Sequence, residues 1–220
     1  MAFVFSSRFY WQAIFIIVFI FHFHSFSQND DISKLVLEAQ LESKGNFFYF
    51  EDKLYTGPVV KLHSNKKKAG TYSLKNGKLH GLWKEWNLKG QMTNQANYRN
   101  GKLHGVFIQF RPDGSREFEV NYIDGLESGS FKRWFKNGKL WVDENYFAGK
   151  LNGISKIFYL DGKVQVQSGY QAGKKNGLEN AWYDNGQLRW QVVYENGIIK
   201  NKLRWKRDGS PSNQDPPKIF

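Results

Sequence analysis

From about Phe50 onward, apolar and polar residues alternate in short runs broken by glycine-bearing turns, and the whole pattern recurs every 24 residues. The stretch Gly129 to Tyr146 (GSFKRWFKNGKLWVDENY) shows one copy. Phe131 to Phe135 carries aromatic and long side chains, Asn137-Gly138 interrupts it, and Leu140, Val142 and Tyr146 alternate down a second run. Alternation of period two predicts strands, and Asn-Gly or Asp-Gly between two such runs predicts a hairpin, because the turn needs φ > 0. Pro112-Asp113-Gly114, Leu160-Asp161-Gly162 and Asp184-Asn185-Gly186 occupy the same place in other copies. The second connection, as in Tyr98 to Gly105 (YRNGKLHG), uses two glycines to double back toward the next hairpin.

The phase does not slip. Gly77, Gly101, Gly125, Gly149, Gly173 and Gly197 form one column, Gly81, Gly105, Gly129, Gly153 and Gly177 a second, and Gly90, Gly114, Gly138, Gly162 and Gly186 a third. Aromatic residues keep the same step at Tyr98, Tyr122, Tyr146, Tyr170 and Tyr194, and at Trp86, Phe110, Trp134, Phe158 and Trp182. A fixed period of this size marks one supersecondary unit stacked on copies of itself. The expected fold is therefore all-β: an elongated single-sheet repeat rod of stacked β-hairpins, with the in-phase rings as its core. About seven repeats span residues 50–209, the first and last degenerate. In the first, Lys53, Leu62 and Lys66 replace the expected glycine, aromatic and glycine; in the last, Asn201 replaces a glycine.

Outside the repeats the pattern changes. Ala13 to Phe21 is unbroken and apolar, Arg8 precedes it, and Ser25-Phe26-Ser27 places small residues before Gln28. This is the layout of a secretory signal peptide over residues 1–27, which predicts an exported, periplasmic or envelope-associated protein; an uncleaved N-terminal anchor is the alternative. Within residues 28–49, Ile32, Leu35, Val36 and Ala39 fall at helical spacing, with acids in the first turn, and predict a short N-terminal capping helix over Asp30 to Ser43. The polar, proline-bearing tail, residues 210–220, is expected to be disordered.

Composition narrows the chemistry. No cysteine is present, which excludes disulfides, zinc–thiolate sites and a thiol nucleophile. Aromatics make up 17% and the formal charge is +12, which favours acidic partners; an exported protein rarely meets nucleic acid, so none is expected.

GKLHG at 77–81 and again at 101–105, between aromatic strands, resembles the MORN repeat. The pattern Tyr-x-x-Gly-Lys-x-x-Gly-x-x-x-x-aromatic-x-x-x-Gly is most similar to its bacterial variant. The resemblance covers about Phe50 to Gly209. It implies a scaffold or membrane-associated binding module, in some arrays through acidic phospholipids, and proteins of this variant are often labelled antitoxin components of toxin–antitoxin systems.

Four lysines, Lys78, Lys102, Lys150 and Lys174, follow their glycines in phase and should form a ladder along one long edge, interrupted by Leu126 and Ile198. Such a ladder suits an anionic lipid, a glycan or an acidic protein face; as a solvated turn row it would instead keep sheet edges soluble. Trp83, Trp141 and Trp190 break the aromatic columns and are candidate exposed rings for a glycan or partner chain. His80 and His104 share one column with Ser128, Asn152 and Asn176. A metal-binding pair is conceivable, but the interchange indicates a small polar turn residue. The acids share no phase, and no nucleophile–base pair, phosphate loop or metal spacing emerges. The reading is a non-enzymatic binding or scaffolding protein of the cell envelope, without cofactor or metal. Its partner is an unidentified protein or, alternatively, an anionic lipid or glycan; an antitoxin-like role is a further alternative by family label.

Overall fold

The computed structural model describes residues 35–212. The expected signal peptide, the start of the expected helix and most of the tail lie outside these residues. The chain divides into two units at Lys34/Leu35, and the second, Leu35–Phe220, contains all the strands of the repeats.

Six hairpins follow one another: Gly57–Leu62 with Lys68–Lys75, Gly81–Trp86 with Met92–Arg99, Gly105–Phe110 with Arg116–Ile123, Leu126–Trp134 with Leu140–Phe147, Gly153–Phe158 with Val164–Gln171, and Lys174–Trp182 with Leu188–Glu195. Ile198–Arg204 closes the series as a single strand. Each strand pairs antiparallel with the one before and the one after, so the hairpins form one open meander. This is the all-β stack of hairpins that the 24-residue period predicts.

The two kinds of turn differ in a way the dipeptides alone do not reveal. At the corners between hairpins both central residues are left-handed, as at Asn100 (φ 51°) and Gly101 (φ 81°), and Arg99 pairs with Lys102 across them. These are two-residue type I′ turns. Inside the hairpins only one residue has positive φ, Lys66 (64°) in the first and the glycine in the later five, as at Gly138 (81°). There Phe135 N–H donates to the Lys139 carbonyl at 2.8 Å and Gly138 N–H to that of Phe135 at 3.0 Å. That is a three-residue turn with a glycine bulge. Asn137, Asp113 and Asp161 serve it by accepting the backbone N–H two residues on, at 2.9–3.0 Å.

After each corner the second glycine column makes a bulge. Val120 pairs with Phe131, but Tyr122 pairs with Glu127, so two extra residues, near Gly129 (φ 101°), shift the register by two. The row of residues facing one another across the sheet therefore interleaves two columns, one from each strand of the repeat, and each column keeps the period. On one face this row includes Val59 and Tyr72, Trp83 and Ala96, Phe107, Val120, Phe131 and Glu144, then Ser155, Ser168, Glu179 and Val192. The reverse face carries Glu119, Lys132, Asp143 and Lys156 in successive strands, opposite charges side by side. The first face gathers most of the apolar core, while the reverse face carries this charged row and buries Val60 and Ile108.

The N-terminal cap is not a helix. Val36–Leu37 is a short strand, Glu38–Gln40 a single 3₁₀ turn, and Glu42–Lys44, Phe47–Phe50 and Lys53–Leu54 form a small three-stranded sheet. Val36 and Leu37 pair in parallel with Val59 and Val60 of the first hairpin. The reason is the open edge: Gly57–Leu62 would otherwise present unpaired N–H and C=O groups, and a helix, having satisfied its own, cannot cover them. Glu38 ties the segment down, accepting from the Tyr72 hydroxyl at 3.2 Å and pairing with Lys61 at 3.3 Å. The degenerate first corner falls on Glu51 and Asp52, both left-handed, one residue earlier than the period places it. At the other end Ser212 N–H donates to the Arg204 carbonyl at 2.9 Å, and Trp205 bridges Pro211, so the first residues of the expected disordered tail turn back against the closing strand. Among the described residues, no helix is long and apolar enough to cross a membrane.

Candidate functional site

The lysine column sits at the type I′ corners, and the corners stack. Gly101 N–H donates to the Leu79 carbonyl at 2.8 Å, Gly125 to Leu103, Gly149 to Glu127, Gly173 to Leu151 and Gly197 to Lys175, all at 2.7–2.8 Å. Each hydrogen bond seats one corner on the previous one. A Cβ on Gly101 would lie 3.8 Å from the Lys78 Cβ, and one on Gly125 would lie 3.8 Å from the Lys102 Cβ. The same holds for Gly173 over Lys150 (3.7 Å) and Gly197 over Lys174 (3.9 Å). The four lysines therefore stand along one edge. Lys102, Lys150 and Lys174 are exposed; Lys78 is half-buried, its ammonium 4.6 Å from the Phe47 ring centre.

Leu126 interrupts this row, and it is not alone. Ile123 pairs with Leu126 across its corner, Phe147 pairs with Lys150 across the next, and Leu126 Cδ2 lies 3.7 Å from where a Cβ on Gly149 would be. The three are 53%, 52% and 69% exposed. Sequence reasoning noted the gap at Leu126 but missed the other two. Reading down the column that precedes each corner (Lys75, Arg99, Ile123, Phe147, Gln171, Glu195) would have found them.

The histidine column has a structural task. Thr56 Oγ1, Asn152 Oδ1 and Asn176 Oδ1 accept the backbone N–H of Asn76, Ala172 and Asn196, the left-handed residue of the next corner, at 2.8–3.2 Å. His104 Nδ1 takes the Asp124 N–H in the same way at 3.4 Å. A side-chain acceptor that joins successive corners explains the exchange of His with Asn. Among the described residues no group of three or more His, Asp or Glu is placed to hold a metal ion. Beside His104, the Arg99 guanidinium grips both oxygens of Asp124 at 2.9 Å, which holds that carboxyl below its usual range.

The three tryptophans are not alike. Trp190 is 3% exposed and packs with Val166, Ala181 and Val192. Its expected exposure is wrong because Ala181, directly opposite, leaves room for the indole. Trp83 is half-buried against Val59, Tyr72 and Leu74. Trp141, also half-buried, stacks on Phe135 at 5.4 Å with the Arg133 guanidinium 4.7 Å from its ring.

One polar cluster escaped the sequence reading altogether. Ser155 Oγ donates to Glu144 Oε1 at 3.0 Å and the Tyr146 hydroxyl to Glu144 Oε2 at 3.1 Å. One hairpin on, Ser168 Oγ donates to Glu179 Oε2 at 2.7 Å, and Lys175 pairs with the same carboxylate. Ser155, Ser168 and Glu179 are buried. Ser168 holds the phase of Glu144, and Glu179 that of Ser155, so the two pairs exchange carboxylate and hydroxyl between strands. No column of one residue type could reveal this. Burial opposes the charge of Lys175, but the hydrogen bond and charge of Glu179 outweigh it and raise the ammonium. Burial first, then the charge and hydrogen bond of Glu144, push the Tyr146 hydroxyl well up. The carboxylates here have their hydrogen-bonding capacity used by neighbours in the sheet.

The model of the MORN repeat variant matches residues 79–100, 127–147 and 151–172. Each match starts just past one type I′ corner and ends at or within a residue of the next, enclosing one hairpin. No curated protein matches the chain. MORN repeats are generally binding or scaffolding modules, typically non-catalytic. With its hairpins in phase and three of them matched by the family model, this chain carries MORN repeats of the variant type.

Proposed function

We propose that this protein is a non-enzymatic scaffold of the cell envelope that engages another protein along the corner edge of its sheet. The observation that carries this reading is the lysine stack. Lys102, Lys150 and Lys174 are exposed, stand in one row, and form no ion pair among the described residues. The corners themselves are held by backbone bonds and by the Thr/His/Asn acceptors, so the lysine charges are free to act outward. Export, expected from residues 1–27, places the edge among envelope components.

Cross-linking on intact envelope followed by recovery of the protein tests this. The wild type should retain a defined protein partner, and the joint change Lys102→Gln, Lys150→Gln and Lys174→Gln should weaken it several-fold without unfolding the sheet. Equal recovery by both forms would reduce the lysines to a solvated edge. The same row supports a second reading, attachment to an anionic lipid or glycan. Binding to anionic vesicles would fade steeply with added salt, whereas a protein interface with apolar contacts would persist.

A further inference from the structure

We propose that Ile123, Leu126 and Phe147 anchor an acidic segment of the partner protein, with Lys102 and Lys150 as the cationic flanks of the same site. This rests on the protein-binding reading above and gives it a location and a partner chemistry.

The repeats supply an internal control. At the positions of Ile123 and Phe147, other corners carry Lys75, Arg99, Gln171 and Glu195; at that of Leu126 they carry lysine, or Ile198 at the last. The corner geometry therefore needs no apolar side chain there. Three large ones nonetheless gather on two adjacent corners, each more than half exposed. They are contiguous, since Ile123 and Leu126 pair across one corner and the next corner's glycine lies over Leu126. A contiguous apolar patch ringed by polar residues marks a contact surface.

Charge then selects the occupant. Lys102 and Lys150 stand on either side of Leu126 in the column, so carboxylates flanking an apolar centre complement the site. A second copy of this chain would set lysine against lysine. A continuous anionic bilayer would press on Asp124 and Glu127, which lie at these same corners; a discrete segment leaves them in water.

The test uses the full chain and two short fluorescent peptides, one with Leu and Phe between pairs of glutamates, the other with Ser in place of both. The triple variant Ile123→Arg, Leu126→Lys and Phe147→Gln installs residues the neighbouring corners already carry, and circular dichroism should show the fold unchanged. The wild type should bind the Leu-Phe peptide about tenfold tighter than the Ser peptide. The variant should lose that preference while binding the Ser peptide at least as well, having gained positive charge. No preference in the wild type, or one retained by the variant, overturns the site. So does a variant that loses binding to phosphatidylglycerol vesicles but not to the Leu-Phe peptide.

A photo-crosslinker at position 147, and separately at exposed Leu160 in the other row of turns, distinguishes this site from the broader reading. A protein adduct from 147 together with the peptide preference upholds the site. An adduct from 160 alone overturns the site and keeps the protein-binding reading; no adduct from either overturns both.

Discussion

The second and third hairpins and the fifth and sixth share turns and register, yet fill the same row of the sheet face with opposite chemistry. In the earlier pair the row runs Trp83, Ala96, Phe107, Val120, with Phe118 stacked between Phe107 and Phe131 at ring distances of 5.6 and 6.2 Å. In the later pair it runs Ser155, Ser168, Glu179, Val192, and the buried acid is held by Ser168 and Lys175. The repeat thus conserves backbone conformation, not core composition. Stacked rings give non-directional burial that tolerates exchange of ring types. The carboxylate–hydroxyl pair is directional and stabilises only when every partner is present.

The sharpest way to break this contrast is to remove one half of the polar pair. Glu179→Val leaves the Lys175 ammonium in the face without its carboxylate and should cost about 3 kcal/mol. Adding Lys175→Leu, the residue at the matching positions 79, 103 and 151, should recover most of that by turning the later row into a copy of the earlier one. Urea midpoints of the two variants decide it; a double variant no better than the single would mean that the polar pair cannot be replaced by packing.

Phe118→Ala attacks the other side. The ring is half-buried and loses two stacked neighbours, so the expected loss is about 2 kcal/mol, read from the same midpoints. A cost well under 1 kcal/mol would show that the rings lie on the face without holding it.

Alkaline pH should produce the mildest effect, and an unequal one. Burial raises Tyr98, Tyr122, Tyr146 and Tyr170, with Glu144 raising Tyr146 further. A tyrosine whose folded pKa exceeds its unfolded value near 10 keeps its proton in the fold, so stability holds below about pH 10 and declines as pH rises beyond it. Raised Lys175 works in the same direction: its contribution is complete below its unfolded pKa of about 10.4 and is lost as pH climbs through the folded one. The Glu179→Val, Lys175→Leu double variant should therefore lose less stability between pH 9 and 11 than the wild type. A larger loss in the variant would overturn the assigned role of the pair.

What was legible in the residues was what depends on one residue at a time. Gly101 and Gly138 announce their turns because each must adopt positive φ, and Tyr98, Tyr122 and Tyr146 announce a shared environment because they recur in step. The lysine column was legible for the same reason. The helix expected at Asp30 to Ser43 failed where local spacing competed with a distant need: Val36 and Leu37 are claimed by the open edge of Gly57–Leu62. Trp190 was misjudged because its burial depends on Ala181, a residue of the neighbouring strand.

The sequence by itself determined the period, the hairpin as the unit, the left-handed glycines and the basic column, since backbone conformation and phase are written in single positions. Only the tertiary structure decided that Ser155 meets Glu144, that Glu179 meets Ser168, and that Ile123, Leu126 and Phe147 share one surface. The physical reason is the antiparallel pairing of the two strands of each repeat. It sets the column of Phe131 and Ser155 against that of Glu144 and Ser168, two columns far apart along the chain, and the contact between them is written in neither.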